Sequence, residues 1–172
     1  MRHRYAIRPA QPSDLDHLVA LHQELQDHLE TSNLGLWRMT TASRGHFKRQ
    51  LAARLQATNS CALVAEHESD GVVGMISGRI VTNSSYTPTR TGTVDQAFVR
   101  VDHRRKGVGS QLVAAMCDWF AVQGVEDLSL RYVHGNTEAA GFWTALGFTP
   151  RIVIVGAHRQ TVESCLTQTR GA

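Results

Sequence analysis

The sequence predicts an α/β fold, a single domain with a mixed central sheet flanked by helices, in the element order β-α-α-β-β-β-α-β-α-β. Its length of 172 residues suits one domain with a substantial core. Short runs of β-branched and aromatic residues alternate with longer runs whose apolar residues recur at helical spacing. One stretch, Thr93 to Phe120, joins a strand, a basic glycine-containing turn and an amphipathic helix in direct succession.

The chain before that stretch predicts three strands and two helices. Tyr5–Arg8 alternates as a short strand, and Leu15 to Leu29 carries apolar residues at helical spacing. Three histidines of this first helix do not share a face, which predicts solvated positions; they are His17, His22 and His28. Phe47, Leu51 and Leu55 predict the second helix. The next two strands meet at Asp70-Gly71, a pair typical of hairpin turns.

The chain after Phe120 predicts two more strands and one more helix. Leu128–Val133 and Arg151–Val155 have the composition of strands. The segment Asn136–Leu146 between them is predicted to be a helix that Gly147 closes. The polar residues 158–172 predict a short terminal helix or a tail.

The turn at residues 104–109 predicts an anion site, because three cations and two glycines occupy six residues directly before a helix. The first amides of a helix have no internal partner, and the helix dipole is positive there. Glycine lets an anion approach these amides, and consecutive N–H groups form a nest for phosphate oxygens. Neither a Walker loop nor a dinucleotide fingerprint is present.

Two motifs resemble those of the GNAT superfamily of acyl-CoA N-acyltransferases. The order Arg-x-x-Gly-x-Gly at residues 104–109 resembles that family's acetyl-CoA pyrophosphate loop. The later family motif is matched by Asn136, Ala139, Phe142, Trp143, Gly147 and Phe148. Trp143 stands where the family usually has tyrosine. The resemblance covers nearly the whole chain, although the first third matches only in element order.

The resemblance implies an acetyl-CoA-dependent N-acetyltransferase that acts on a primary amine of a small molecule or protein. The pantetheine arm would pair with the strand backbone near Phe98, Val99 and Val101. Phosphate contacts are implied for the turn and the helix start, at Arg104, Lys106, Gly107, Val108, Gly109 and Ser110. Asn136 would lie near the pantetheine or adenosine diphosphate arm, with Phe142 and Trp143 close to the thioester.

The resemblance also suggests where the acceptor binds. Residues 31–44 would lie near the acceptor mouth, where Trp37 and Met39 either line the pocket or pack under a loop. The polar loop Asn83–Gly92 is a candidate acceptor-binding lid.

Catalysis requires a neutral amine, so a general base would help. Many relatives carry a carboxylate on the fourth strand, which implies Asp95; the alternative is a structural aspartate bonded to a neighbouring N–H. Glu66 is a second choice. Trp143 can donate a hydrogen bond to the leaving thiolate but cannot deliver a proton. His134 and Tyr132 are substitutes, unless water or the departing ammonium supplies that proton.

Composition limits the other function classes. The net charge is +3, and the cluster at residues 104–106 is accounted for by phosphate binding, so we expect no nucleic-acid partner. No apolar run approaches the roughly 18 residues that span a bilayer, and no signal peptide is evident, so we expect a cytoplasmic protein without a membrane partner. Scattered histidines and three unpaired cysteines predict no metal site.

Three hypotheses remain open at this point. The first is the enzyme, for which a homodimer is compatible with the sequence. The second is an acyl-CoA-binding sensor that has lost turnover, which the tryptophan at position 143 motivates. The third is a basic nucleic-acid module, whose binding would depend steeply on salt.

Overall fold

The computed structural model describes residues 5–33 and 39–169. Its strands are β1 (Tyr5–Pro9), β2 (Ser60–His67), β3 (Gly71–Thr82), β4 (Arg90–Val99) and β5 (Leu128–Leu130). Its helices are α1 (Leu15–Ser32), α2 (Thr41–Gln56), α3 (Val108–Val122), α4 (Thr137–Ala145) and α5 (Arg159–Thr169). Two short 3₁₀ turns, Pro12–Asp14 and Val101–His103, precede α1 and α3. Among the described helices, none combines the length and hydropathy needed to cross a bilayer.

The five strands form one sheet in the order β1-β2-β3-β4-β5. The first four pair antiparallel, and β5 lies parallel to β4. The sheet is therefore mixed and flanked by helices, which confirms the predicted fold class. The chain forms two compact units that divide between Ala140 and Gly141, and the sheet with α1 to α3 belongs to the first. The extent of the functional domain over residues 1–172 stays a prediction.

The first unit buries apolar side chains on both faces of its sheet. On one face, Leu18 and Leu21 of α1 and Leu51 of α2 pack with sheet residues that include Met75 and Phe98. On the other face, α3 buries four residues one helical turn apart, namely Val108, Leu112, Met116 and Phe120. Burial of each large apolar side chain contributes about 1.5–3 kcal/mol.

Two glycines, Gly78 of β3 and Gly92 of β4, let α3 approach the sheet closely. A Cβ at Gly78 would lie 2.9 Å from the Thr93 carbonyl oxygen and 3.1 Å from the Phe120 ring. A Cβ at Gly92 would lie 2.6 Å from Leu128 and 2.7 Å from that same ring. The Phe120 ring of α3 therefore occupies the space that a side chain at Gly78 or Gly92 would need.

A partly buried ion-pair cluster joins β1 to the 3₁₀ turn before α1 and to β2. The Arg8 guanidinium donates to both carboxylate oxygens of Asp14, at 2.7 and 3.0 Å, and its Nε donates to Glu66 at 2.8 Å. The Asp14 side chain is 7% exposed and also accepts from the Gln11 amide at 2.8 Å. The Arg8 hydrogen bonds hold the pKa of Asp14 below its usual range, against the effect of burial.

Three predictions about elements require correction. Residues 148–158 form neither helix nor strand, so the strand predicted at Arg151–Val155 is wrong. Its four apolar side chains, residues 152–155, are 75–86% exposed. β-Branched composition favours a strand only where a neighbouring strand supplies hydrogen bonds. The strand predicted to reach Val133 ends at Leu130, and His22, predicted to be solvated, is only 5% exposed.

Candidate active site

The pairing between β4 and β5 stops part-way along β4 and leaves a gap beside its second half. The two strands pair over only three positions, which are Gly92 with Leu128, Thr93 with Ser129, and Val94 with Leu130. β5 then ends, while β4 continues to Val99. Within the described residues, the β4 backbone from residue 95 to 99 therefore has no strand on that side, a length of about 13 Å. Such an edge can accept an extended ligand as an added strand.

A β-bulge lies where this gap begins. Gln96 pairs with Ser77 and Val94 pairs with Gly78, so Asp95 is the extra residue of β4. The bulge directs two successive side chains toward the same helical layer: Gln96 Nε2 lies 3.0 Å from His22 Nδ1 on α1, and Asp95 contacts α2. Sequence periodicity alone would place these neighbours on opposite faces.

Asp95 lies between two arginines. One carboxylate oxygen accepts from Arg79 of β3, and the other lies 3.6 Å from Arg54 of α2. The Asp95 side chain is 14% exposed, and it borders a cavity of about 100 Å³ between α2 and the sheet. Neither arginine was identified from sequence, because both are distant in the chain from Asp95. The pairing favours a structural role for the carboxylate, while its role as a base stays a prediction.

The turn before α3 is built as an anion nest. Arg105 has φ +57° and Gly107 has φ +79°, the left-handed backbone conformation that occurs in nests of consecutive amides. α3 has no side-chain N-cap, and its first hydrogen bond runs from the Gln111 amide to the Gly107 carbonyl at 3.1 Å. Within the described chain, the amides of Val108, Gly109 and Ser110 have no protein acceptor. They are therefore available to an anion.

Arg104 is held by the protein itself. Its Nε donates to the Val99 carbonyl at 2.8 Å, and its terminal nitrogen donates to Glu138 at 2.8 Å. The guanidinium also lies 5.4 Å from the centre of the Phe98 ring. The motif arginine thus fixes the turn to the end of β4, whereas Lys106 beside it is exposed. Arg104 as a phosphate contact stays a prediction.

The sequence predicts strand-like contacts with the pantetheine arm near three residues, which are Phe98, Val99 and Val101. The Phe98 side chain packs in the core, and the Val99 carbonyl already accepts a hydrogen bond from Arg104. Val101 lies beyond the strand in a 3₁₀ turn and is 71% exposed. Val101 therefore lies beyond the end of β4, and its expected contact with the pantetheine arm stays a prediction.

Asn136 caps the start of α4. Its Oδ1 accepts from the Ala139 amide at 3.0 Å, and its Nδ2 lies 3.5 Å from His28 Nε2. Asn136 is 8% exposed, so its role toward a ligand arm stays a prediction. The His134 and Tyr132 side chains, both candidate acids, are exposed. The His134 carbonyl accepts from Asn33 at 3.0 Å.

The second unit contains the aromatic part of the later motif. Trp143 is 7% exposed, and its ring meets those of Phe142 and Phe148 edge to face, at 5.0 and 5.3 Å between centres. The Phe148 amide bonds back to the Trp143 carbonyl at 3.1 Å. These contacts make Trp143 a packed aromatic residue, and its role at the thioester stays a prediction.

The segment expected near the acceptor is described only in part. Trp37 lies outside the described residues. Met39 lines a small cavity with His22 and with Phe47, whose ring stacks on the imidazole at 3.6 Å between centres. The loop between β3 and β4 spans residues 83–89 and is closed by a hydrogen bond from the Asn83 amide to the Thr89 carbonyl at 2.8 Å.

The three cysteines are free thiols that differ in exposure. Cys61 and Cys117 are half-buried, and burial raises the pKa of both thiols, which therefore stay protonated at neutral pH. Cys165 is exposed.

Comparison with known families decides the assignment of this fold. The model of the Acetyltransferase (GNAT) family matches residues 22–148. The chain belongs to this family. Membership of this family supports an acyltransferase activity. Among curated proteins, no sequence is significantly similar to it.

Solved GNAT structures share the architecture. A GCN5-related N-acetyltransferase from Ralstonia eutropha JMP134 is 18% identical with a TM-score of 0.74, covering 90% of this chain and 98% of that one. Aminoglycoside antibiotic 6'-N-acetyltransferase AAC(6')-Ih from Acinetobacter baumannii is 17% identical with a TM-score of 0.70, covering 90% and 98%. Aminoglycoside N-acetyltransferase AAC(6')-Iy in complex with CoA is 20% identical with a TM-score of 0.69, covering 90% and 95%. At these identities the similarity shows the fold.

Proposed function

We propose that this GNAT protein transfers an acetyl group from acetyl-CoA to a primary amine of a small molecule or protein. The observation that carries the proposal is the continuity of two features. The open edge of β4, residues 95–99, leads directly to the nest at residues 104–110. A ligand with an extended amide-containing arm and a pyrophosphate fits such a surface, because the arm pairs with the strand and the phosphates meet the helix amides.

The same surface explains how the thioester would be placed. With its pyrophosphate at the start of α3, the pantetheine arm would run back along β4 toward the bulge at Asp95. The bulge interrupts the regular antiparallel pairing, and the nearby cavity on the α2 side is lined by Arg54, Arg79 and Asp95 among other residues. We place the acceptor amine on this side.

The reaction would proceed by direct attack in a ternary complex. The neutral amine nitrogen forms a bond to the thioester carbonyl carbon, and the tetrahedral intermediate expels CoA thiolate as the carbon–sulfur bond breaks. The ammonium proton leaves to water or to the departing CoA thiolate. Asp95 would orient the amine or a water that accepts this proton.

One arrangement favours a second function. Asp95 is already paired with two arginines, so the protein itself engages both of its carboxylate oxygens. A protein that binds acetyl-CoA with little turnover would be consistent with this pairing. The two functions differ in the release of free CoA.

The deciding experiment is a free-thiol assay of CoA release with a library of amines, aminoglycosides included, run beside calorimetry with acetyl-CoA. We expect binding together with amine-dependent release. Binding without release from any amine would favour the sensor. Absence of binding would contradict both.

Asp95→Asn tests the catalytic assignment. If Asp95 acts on the amine, we expect kcat to fall by about 10²-fold or more with acetyl-CoA affinity unchanged. Asp118→Asn, an exposed position on α3, is the matched control. Equal kcat in both variants would make Asp95 structural only.

A further inference from the structure

Two histidines and an aspartate converge at a place that the proposed acetyl-CoA contacts do not use. His67 ends β2, Asp70 lies in the turn before β3, and His103 lies in the 3₁₀ turn before the nest. Asp70 Oδ2 is 3.1 Å from His67 Nδ1 and 3.3 Å from His103 Nε2. One ligand atom of each residue lies within 4.8 Å of the other two.

We propose that His67, Asp70 and His103 form a binding site for a first-row divalent transition metal ion, with Zn²⁺ the best match. Zn²⁺ takes imidazole nitrogen and carboxylate oxygen at about 2.0–2.2 Å, and a tetrahedron of that size separates its ligand atoms by about 3.3–3.5 Å. The two measured separations that involve Asp70 are close to this spacing. Water would complete the coordination at the fourth position.

The ligand set separates this cluster from an ordinary surface ion pair. Two imidazoles from elements 36 residues apart in sequence approach the same carboxylate oxygen, and their side chains are only 13% and 9% exposed. Asp70 is 49% exposed at its turn, so its side chain has room to adjust around an ion. Imidazole with carboxylate is a donor set that suits Zn²⁺ and its neighbours rather than Mg²⁺ or Ca²⁺.

Tyr5 contacts both imidazoles. Its hydroxyl lies 3.1 Å from His103 Nδ1, and its ring lies 4.9 Å from the His67 ring between centres. In the metal-bound state, His103 Nδ1–H would donate to the Tyr5 oxygen and leave Nε2 as the ligand. A hydrogen bond of this kind fixes the tautomer and the orientation of a ligating histidine.

A bound ion would join the β2–β3 hairpin to the turn that precedes the nest. Since the ligands come together only in the folded chain, metal binding should stabilise the protein. At an ion concentration about a hundredfold above Kd, we expect Tm to rise by roughly 5 °C or more.

The test uses the full chain, freed of metal by chelation, and titrates it with Co²⁺ and Zn²⁺. We expect one Co²⁺ per chain, visible d–d absorption, and displacement by one Zn²⁺. Asp70→Asn and His67→Ala should each weaken Co²⁺ binding at least tenfold and abolish the rise in Tm. Tyr5→Phe should weaken binding by about 10- to 100-fold.

Controls and the contrary outcome follow from the same titration. His46→Ala and Asp118→Asn, at exposed positions of α2 and α3, should bind Co²⁺ as the parent does. Asp70 lies in an exposed turn, so Asp70→Asn tests the site even if a variant of the buried His103 would fail to fold. Saturable Co²⁺ binding that Asp70→Asn and His67→Ala leave unchanged, or no binding by the parent chain, would overturn the proposal.

Discussion

Replacing Gly107 by alanine alters the backbone at the start of α3 without filling occupied space. Gly107 has φ +79°, and a Cβ there would meet only Gln111 Nε2, at 3.7 Å. The left-handed conformation costs an L-residue about 1–2 kcal/mol, which favours a rotation of the backbone at this position. That rotation would turn the following amides away from the nest, so the substitution acts on anion binding rather than on packing.

The expected effect on acetyl-CoA can be worked from the amides. Each hydrogen bond from an amide to a charged phosphate contributes about 1.5–3 kcal/mol. Loss of one or two of the three such bonds available at Val108, Gly109 and Ser110 would cost about 1.5–6 kcal/mol, roughly a 10-fold to 10⁴-fold rise in Kd. Calorimetry with acetyl-CoA measures this change.

Gly124→Ala is a matched control for the backbone strain. Gly124 follows the other end of α3, has φ +68°, and has nothing within 4 Å of the place where a Cβ would lie. It should lose about the same stability, 1–2 kcal/mol, with acetyl-CoA affinity unchanged. Equal Kd values for two folded variants would refute the assignment of the nest to the pyrophosphate.

Three further predictions concern stability and the leaving group. Because the pKa of Asp14 is lowered in the folded chain, its carboxylate stabilises the fold above the unfolded pKa of about 3.9, and this stabilisation is lost as pH falls through the folded pKa. In urea unfolding, the free energy of unfolding of Asp14→Asn should therefore fall less steeply below about pH 4 than that of the parent. Gly92→Ala should lower the free energy of unfolding by about 1–3 kcal/mol, because the added methyl group overlaps Phe120. Gly141→Ala, whose methyl group enters open space on α4, should leave it unchanged. A Gly92→Ala variant as stable as the parent would contradict the packing of α3. Trp143→Tyr should leave kcat nearly constant, since Trp143 is a packed residue, and a tenfold gain, about 1.4 kcal/mol of barrier, would show that proton delivery limits the rate.

The sequence was sufficient for those features that depend on local chemistry. The nest is one of them, because a glycine-containing turn before an amphipathic helix determines the local backbone and the exposed amides together. The hairpin at Asp70-Gly71 is another, and Gly71 has φ +67° as that turn requires. Predictions of this kind depend on neighbours within one or two turns of the chain.

Features that depend on distant partners were not predictable. Asp95 is bound by arginines 16 and 41 residues away, and its place in a bulge depends on the register between two strands. His22 is buried because Phe47 stacks on it and Gln96 faces it, neither of which helical periodicity reveals. The apolar run at residues 152–155 has strand composition, but composition does not supply a neighbouring strand.

Arg104 connects the two family motifs physically. It belongs to the first motif, yet its guanidinium binds Glu138 at the start of the helix that carries the second, 34 residues later. Its other contact occupies the carbonyl of Val99, the last residue of β4, so a ligand pairing with the open edge would have to engage residues before that point. Because Glu138 already balances the charge of Arg104, we propose that the attraction for phosphate would come mainly from the α3 amides and from exposed Arg105 and Lys106. The motif arginine is therefore best understood as the residue that holds β4, the nest and the first turn of α4 together, so that the amides face the ligand.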